Sequence, residues 1–284
     1  MLPRFELLKP ATLDEALRML AETEDALPIA GGTNLVVDMR SGKLAPSTLI
    51  DISGLRELCC VREQDGELLL GAAVTLAELL DDPMIARDVP ILTVVARSFA
   101  NTLIRNRATI GGNLVNAAPC CDTVPALLVL DAEVELASLA GRRRVPLDEF
   151  LVGAFETKRE ANELVIGVRV PIPLDDARTA FEKMGLRKIS CMAKVDVAVR
   201  VDVGADDAVT GARVAVGAAS AVALRVPKAE DALVGGPLTD VSIAEAAKLA
   251  AEAAEPRAGS EYKRQVVRGI ARRLLESLAG GGAL

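Results

Sequence analysis

Two short glycine-rich segments contain the residues of this sequence that are best suited to bind a ligand. AGGTNL at 30–35 and TIGGNL at 109–114 each place two glycines beside small polar residues, between apolar neighbours. Glycine lets the backbone approach a ligand closely, so that consecutive N–H groups can converge on an anion. Four polar side chains can add hydrogen bonds: Thr33, Asn34, Thr109 and Asn113. Two such loops could hold one diphosphate from both sides.

The simpler interpretation is that each Gly-Gly pair only forms a turn, and the residues leave both interpretations open. Neither segment matches a standard phosphate motif. AGGTNL is not G-x-G-x-x-G and has no Gly-Lys-Ser/Thr ending, which argues against a Rossmann nucleotide site.

The catalytic repertoire of the sequence is narrow because it contains no histidine. This excludes Ser-His-Asp and Cys-His nucleophilic schemes. The five cysteines include two adjacent pairs, which lack the C-x-x-C spacing of a metal site, and their odd number does not suggest a disulfide framework. We therefore expect no catalytic residue and no metal ligand in this chain. If the chain takes part in catalysis, a bound cofactor must carry the chemistry.

Composition limits the kind of partner and the kind of core. Half of the residues are apolar but only 2% are aromatic, so Ala, Val and Leu must fill the core. The net charge of −7 argues against nucleic acid, and Arg142-Arg143-Arg144 is interpreted as a solvated turn rather than a binding patch. We expect no transmembrane helix or signal peptide, and a cytoplasmic location.

Hydrophobic periodicity predicts the elements around the two glycine segments. Thr12 and Glu15 indicate the N-terminus of a first helix, and Asp65-Gly66 indicates a hairpin turn. The predicted elements in chain order are a helix at 12–24, a strand, loop and second element at 27–42, a strand at 48–53, a hairpin at 61–76, helices at 75–82 and 84–103, a second loop at 109–113, a helix from about Asp122, a hairpin at Gly141 and a strand at 163–173.

The pattern changes after Pro173. Valines alternate with polar or small residues over 194–220, which predicts two strands joined by an Asp-rich loop. Two helices are predicted at 241–254 and 260–279. We therefore place a domain boundary near 174–180, with one domain at 1–175 and another at 176–284.

Two longer blocks resemble the FAD-binding (medium) subunits of molybdenum hydroxylases, the family of xanthine, carbon monoxide and nicotinate dehydrogenases. They are PIAGGTNLVVDMRSGKLAPSTLIDISGL and IRNRATIGGNLVNAAPCCDTVPALLVLDAEVEL, supported by FEKMGLRK at 181–188 and PRAGSEYKRQVVRGIARRLL near the end. The resemblance implies an α+β fold. Two subdomains of the PCMH or vanillyl-alcohol-oxidase type, divided near 55–60, would hold FAD, and a small C-terminal α+β domain would follow.

The resemblance also implies which residues contact FAD. The first loop would wrap the diphosphate through Pro28, Ile29, Ala30, Gly31, Gly32, Thr33, Asn34 and Leu35. The second would meet the cofactor from the other subdomain through Thr109, Ile110, Gly111, Gly112 and Asn113. Four single positions match further family contacts: Phe99, Asp122, Val165 and Lys183.

Each single position has a purely structural alternative. Asp122 could be a helix N-cap, Phe99 and Val165 could be core residues, and Lys183 could be solvated. The sequence also departs from relatives that place an aromatic ring over the flavin, because it has no Trp and only Tyr262. Cys120 and Cys121 stand where small or polar residues are common in the family, and we assign them no redox role.

The function implied by the resemblance is electron transfer. A large partner subunit would hold the molybdenum cofactor and the substrate pocket, and a small one would hold two [2Fe–2S] clusters. This chain would pass electrons through noncovalent FAD to an external acceptor, within a dimer of heterotrimers. Two alternatives are a self-contained FAD-dependent oxidoreductase acting on a small molecule, and an assembly subunit without cofactor.

Overall fold

The computed structural model of the chain describes residues 1–174, 176–187 and 190–280. Its strands form sheets of three, five and four strands and a two-stranded hairpin. Asp175, at the expected domain boundary, Lys188 of the FEKMGLRK block and the last four residues of the expected C-terminal domain lie outside the described residues. Within the described residues, no helix has the length and apolar character needed to cross a membrane.

The first unit is a parallel three-stranded sheet of order β1-β3-β2. Its elements are β1 (Glu6–Leu8), α1 (Leu13–Glu22), β2 (Ala26–Ile29), α2 (Leu35–Ser41) and β3 (Thr48–Asp51). As predicted, Thr12 caps α1, where its hydroxyl accepts a hydrogen bond from the Glu15 N–H at 3.2 Å. The glycine-rich segment connects β2 to α2, so it lies at the carboxyl end of a strand, where open α/β sheets commonly bind ligands.

The second unit is an antiparallel five-stranded sheet of order β4-β5-β10-β6-β7 with helices packed against it. Its strands are β4 (Val61–Gln64), β5 (Glu67–Gly71), β6 (Glu133–Ser138), β7 (Gly141–Pro146), the short pair β8 (Leu151–Gly153) and β9 (Glu156–Thr157), and β10 (Leu164–Pro171). Its helices are α3 (Leu76–Asp81), α4 (Pro83–Asp88), α5 (Pro90–Ser98), α6 (Thr102–Arg105), α7 (Ile110–Asn116), α8 (Thr123–Val129) and α9 (Leu147–Phe150), and a 3₁₀ turn at Arg56–Leu58 precedes β4.

Two predictions for this unit are wrong. The helix expected over 84–103 is three helices, because Pro90 can begin a helix but cannot continue one, and because Ala100 has a φ of 41°. The arginine run is not a turn, although its three side chains are exposed, as expected. It lies on β7, where Arg142, Arg143 and Arg144 form ion pairs with Glu135, Glu163 and Glu67. The hairpin turns at Asp65-Gly66 and near Gly141 are confirmed.

The third unit is an antiparallel sheet of order β11-β12-β13-β14 with helices α10, α11 and α12. The elements are β11 (Ala177–Met184), β12 (Val195–Val203), β13 (Val209–Gly217), β14 (Leu224–Arg225), α10 (Pro227–Asp231), α11 (Asp240–Ala253) and α12 (Tyr262–Ala279). The strands β12 and β13 and the two long helices were predicted from the sequence. The strand β11 was not, since ARTAFEKM lacks a clear alternation.

The two faces of this third sheet have different neighbours. Val197, Val199 and Val201 of β12 join a core with α11 and α12. Ala198, which points to the opposite face, joins the core of the second unit. The sheet therefore lies between its own helices and helices α5 and α8 of the preceding unit, and residues of both units can reach one shared site.

Candidate cofactor site

A cavity of about 480 Å³ lies between the units and is lined by both glycine-rich segments. Its walls include residues 28–35 of the first unit, residues of the second unit such as Phe99, Asp122 and Val165, and Cys191 and Met192 of the third unit. The volume falls within the range of small-molecule sites. The structure therefore brings most of the predicted site residues to one place.

The first glycine segment exposes a row of free hydrogen-bond donors. The backbone N–H groups of Gly31, Gly32, Thr33 and Asn34 donate no hydrogen bond to any residue that the structure describes. Gly32 has a φ of 71°, which a residue without Cβ adopts readily. Consecutive unpaired N–H groups in a concave backbone segment form an anion-binding geometry. This segment can therefore bind an anion, as the sequence suggested.

The glycine at position 31 is required by packing within the protein. A Cβ atom there would lie 1.8 Å from the carbonyl oxygen of Arg107 and 3.2 Å from the Cα atom of Ala108. Arg107 and Ala108 are the two residues before the second glycine segment, so the first segment packs against the backbone that leads into the second. From the sequence, this glycine was expected only to allow close approach of a ligand, because a contact with a residue 76 positions away leaves no local signal.

The second glycine segment is not a loop, contrary to expectation. It is the first turn of α7, with Thr109 as N-cap. Its N–H groups are already used: Ile110 donates to the Val74 carbonyl, Gly111 to the Ala72 carbonyl, both at 2.9 Å, and Gly112 to the Thr109 hydroxyl at 3.1 Å. The two segments therefore have different roles. The first presents donors to the cavity, and the second presents a compact wall.

Residues 109–113 form that wall in different ways. Thr109, Gly111, Gly112 and Asn113 line the cavity. Ile110 does not, because its side chain is fully buried in the core of the second unit. A Cβ atom at position 111 would lie 2.6 Å from the Ala72 Cβ, so this glycine too is required by internal packing. The amide oxygen of Asn113 accepts a hydrogen bond from Thr123, which orients its side chain.

Asp122 and Lys183 form a buried ion pair beside the cavity. Only 5% of either side chain is exposed. Lys183 Nζ donates to Asp122 Oδ2 and, at 3.4 Å, to the Ser98 carbonyl, so Lys183 is not solvated. Asp122 makes no side-chain capping hydrogen bond to α8, which excludes the simple N-cap role. Its Oδ1 atom is buried without a partner among the described residues and is free to accept a hydrogen bond from a ligand.

A second buried acid, Asp196, lies next to this pair. Burial raises the pKa of the Asp122 carboxyl to about 6, although the Lys183 charge acts in the opposite direction. Asp196, which is paired with Lys183 across β11 and β12, is fully buried, and its carboxyl oxygens lack hydrogen-bond partners among the described residues. Burial, and then the charge of Asp122, raise the Asp196 pKa well above its ordinary 3.8. Burial of Asp196 therefore favours its protonated form.

Phe99 and Val165 line the cavity and also pack against the core. Phe99 ends α5 and is partly buried against the core of the second unit. Val165 belongs to that core and is 5% exposed. Their cofactor-contacting and core roles are therefore compatible.

Three cysteines line the cavity, and burial raises the pKa of two of them. Burial raises the pKa of the Cys121 thiol to about 12, and its Sγ donates to the Asn113 carbonyl at 3.3 Å. Burial, and then the Asp122 charge, also raise the Cys120 pKa. Cys191 comes from the third unit. Because thiols react as thiolates, both Cys120 and Cys121 have little nucleophilic character.

Sequence reasoning missed several residues of the cavity wall. Arg159, Glu163, Ile104 and Met192 all contribute to the wall. No motif for ligand binding marks these four residues. Ile104 lies on α6, Arg159 and Glu163 precede β10, and Met192 precedes β12, so the packing of these elements brings them to the site.

The walls fit FAD. The row of unpaired N–H donors at residues 31–34 suits the diphosphate of FAD. The buried Asp122 oxygen without a partner suits a hydroxyl or N–H donor of the cofactor, and the apolar wall residues suit its flat ring. The fold and the cavity therefore define a flavoprotein. In agreement, the family model for the FAD binding domain in molybdopterin dehydrogenase matches residues 3–173, and that for the CO dehydrogenase flavoprotein C-terminal domain matches residues 179–278.

Individual proteins are similar over nearly the whole chain. The 6-hydroxypseudooxynicotine dehydrogenase complex subunit alpha of Paenarthrobacter nicotinovorans is 33% identical over 96% of this chain and 94% of its own. The nicotinate dehydrogenase FAD-subunit of Eubacterium barkeri is 32% identical over 98% of each chain. A chain in the structure of carbon monoxide dehydrogenase from Hydrogenophaga pseudoflava superposes with a TM-score of 0.93 at 31% identity over 97% of both chains. The chain belongs to the family of FAD-binding flavoprotein subunits of molybdenum hydroxylases.

Proposed function

We propose that this chain is the electron-transfer subunit of a molybdenum-containing dehydrogenase. It takes electrons from the [2Fe–2S] clusters of a small partner subunit and passes them to an external acceptor. The molybdenum cofactor is held by a large partner subunit, and the assembly is a dimer of heterotrimers in the cytoplasm. Membership in the family supports this proposal, as do relatives that are named as FAD-subunits or medium chains.

The observation on which the proposal rests is that one cavity contains both free hydrogen-bond donors and a buried acceptor without a partner. The first glycine segment offers four consecutive N–H donors, and Asp122 offers a buried acceptor atom. Buried polar groups are normally satisfied, so the Asp122 Oδ1 atom favours a ligand with a donor, and the free N–H groups favour a ligand with acceptors. When bound, FAD supplies two-electron chemistry that can connect a one-electron donor to a two-electron acceptor.

The residues of the chain would bind and orient the cofactor. Residues 31–34 would bind its diphosphate, and the turn between α6 and α7 would support them through the contact of Gly31 with Arg107. Asp122 would accept a hydrogen bond from the cofactor while Lys183 holds its second oxygen. Phe99 and Val165 supply apolar surface that excludes water. All predicted contacts except Ile110, whose side chain is in the core, remain part of the proposed site.

We also propose the domain division 1–175, split near 55–60, and 176–284. The ends of the sheets and the extents of the two family models support this division. In this division the C-terminal domain contributes Lys183 and Asp196 next to the cofactor site, so it takes part in shaping that site.

The visible absorption spectrum of the purified full chain tests the proposal. The chain is expected to carry flavin or to take up added FAD, with quenching of flavin fluorescence. A chain that stays colourless with added FAD would support the cofactor-free assembly role. A flavin-loaded chain that oxidises a small substrate without partners would support the self-contained oxidoreductase.

A further inference from the structure

The charges on the cavity wall do not balance. Three carboxylates line it, and each has a cation partner that is not among the lining residues. Asp38 pairs with Lys43 at 3.3 Å, Asp122 with Lys183, and Glu163 with Arg143 at 2.5 Å. Arg159 is the single cationic side chain among the described lining residues. The wall therefore has one positive charge that no carboxylate of the wall neutralises.

The guanidinium of Arg159 is held in place on one side only. Its Nη1 donates to the carbonyls of Glu160 and Glu163, both at 2.8 Å, and of Ala161 at 3.4 Å. Its Nε and Nη2 donate to no described residue, and no described carboxylate lies within ion-pair distance. Glu163 is the neighbouring acid, but its carboxylate accepts two hydrogen bonds from Arg143 and one from the Glu160 N–H.

This arrangement leaves a positioned cation with free donors facing a ligand site. Burial lowers the pKa of Arg159, with Glu163 acting in the opposite direction, which means that the protein partly desolvates the guanidinium. A guanidinium remains charged in proteins, and its planar donors match the oxygens of a phosphate. Leaving such a charge partly buried costs free energy that an anionic ligand group offsets.

We propose that Arg159 binds a phosphate oxygen in the ADP half of the bound dinucleotide through Nε and Nη2. This inference rests on the proposed function, since it assumes that FAD occupies the cavity. The free N–H groups of residues 31–34 and Arg159 would then share the negative charge of the diphosphate. Arg159 is a positioning residue for the cofactor and takes no part in electron transfer.

The test compares FAD with riboflavin, which has the same ring but no phosphate. Dissociation constants are measured for the full-length apoprotein by flavin fluorescence, with Arg159→Leu and Arg159→Lys beside the wild type. Arg142→Leu is the matched control, because Arg142 lies outside the cavity and its side chain is 59% exposed. For Arg159→Leu we expect FAD affinity to fall about 10- to 100-fold, as for a lost charge-assisted hydrogen bond, with riboflavin affinity unchanged.

The two substitutions separate binding from folding. Arg159→Lys keeps the charge, so we expect it to lose less FAD affinity than Arg159→Leu. Added salt should weaken FAD binding more in the wild type than in Arg159→Leu, because it screens the charge that only the wild type has. Equal losses for FAD and riboflavin would show that Arg159 only supports the 160–163 loop and would overturn the inference. Unchanged FAD affinity in Arg159→Leu would also overturn it. A wild type that binds no FAD would instead refute the proposed function.

Discussion

At the level of single residues, Asp122 has two separate interactions that mutation can distinguish. Its Oδ2 is bound by Lys183, while its Oδ1 has no partner among the described residues. Alanine and asparagine both remove the anion that pairs with Lys183, but alanine also removes the acceptor oxygen and leaves a cavity, which would destabilise the fold further and obscure any effect on the cofactor. Replacement by asparagine retains an acceptor and nearly the same shape.

The first prediction therefore concerns Asp122→Asn. We expect the dissociation constant for FAD to rise about 10- to 100-fold, since an uncharged amide is a weaker acceptor and hydrogen bonds to charged groups contribute about 1.5–3 kcal/mol. Flavin fluorescence titration of the apoprotein measures this. Asp207→Asn, on an exposed loop of the third unit, is the control and should bind FAD as the wild type does. Unchanged affinity in Asp122→Asn would remove Asp122 from the site.

The second prediction concerns pH and Asp196. A folded-state pKa raised above 3.8 means that the folded protein holds this proton more tightly than the unfolded chain. The Asp196 contribution to stability is therefore largest at low pH and is lost as pH rises from about 4 towards the raised pKa, by up to about 1.4 kcal/mol per pH unit. The titrating and charged neighbours are Asp122, Lys183, Lys263 and Cys120.

Asp196→Asn replaces the titrating carboxyl with an amide. It should therefore remove the part of the pH dependence of the free energy of unfolding that Asp196 causes. The free energy of unfolding, measured by denaturant titration at pH 5 to 8, should fall for the wild type relative to the variant as pH increases. The raised pKa of Asp122 acts in the same direction in both proteins. A constant difference between the two proteins across this range would show that Asp196 is ionised or solvated.

The third prediction is that FAD binds noncovalently. Covalent attachment in related folds commonly uses His or Cys. The chain has no histidine, and burial raises the pKa of the Cys121 thiol to about 12, far from nucleophilic. Acid precipitation should therefore release all of the flavin into the supernatant, where its absorption is measured. Flavin that stays with the pellet would point to Cys120 or Cys191, the other thiols of the wall.

The sequence predicted the residues of the site better than their chemistry. The resemblance marked Asp122 and Lys183 as separate contacts, but not that they pair, because they lie 61 positions apart on different units. Arg159 and Asp196 carried no signal, since an isolated charged residue looks the same in sequence whether it is buried or solvated. Only tertiary packing determines which charge has a partner.

At the level of elements, the contact between the two glycine segments is the feature most open to test. Gly31 lies against the carbonyl oxygen of Arg107, so the connection between β2 and α2 and the turn between α6 and α7 depend on each other. The fourth prediction is that Gly31→Ala, which places a Cβ 1.8 Å from that oxygen, displaces the first segment. The cost is about 1–3 kcal/mol of stability, as for overpacking.

The midpoint temperature of thermal unfolding and the flavin content measure this effect together. Gly31→Ala should lower the midpoint temperature because of the overpacking, and it should lower the flavin content because the displaced segment moves its N–H donors. Gly54→Ala is the matched control, since a Cβ there meets no atom within 4 Å, and it should change neither quantity. Full flavin retention with unchanged stability in Gly31→Ala would contradict the packing of these segments.

Regular elements could be predicted where local signals are strong. Thr12 with Glu15, the Asp65-Gly66 turn and the alternating valines of β12 each follow from nearby residues. The second glycine segment could not be assigned, because Gly-Gly disfavours a helix interior. In the structure, Thr109 caps α7, and the glycines let its first turn pack against Ala72.

At the level of the whole molecule, ion pairs and a shared core join the third unit to the second. Asp131 accepts hydrogen bonds from Arg213 at 2.9 Å and from Arg225 at 2.7 Å, and Phe181 and Ala215 belong to the core of the second unit. The Asp122–Lys183 pair crosses the same boundary beside the cavity. The cofactor site is therefore a product of all three units, and its geometry depends on how they pack.

The central claim is that this chain relays electrons within a larger enzyme. Native mass spectrometry of a pull-down from the native host, with the tagged full-length chain as bait, tests it most directly. We expect an assembly that contains the chain, noncovalent FAD, an iron–sulfur subunit and a molybdenum subunit, with masses that fit two copies of each. A stable, flavin-loaded monomer that turns over a small substrate without partners would contradict the account.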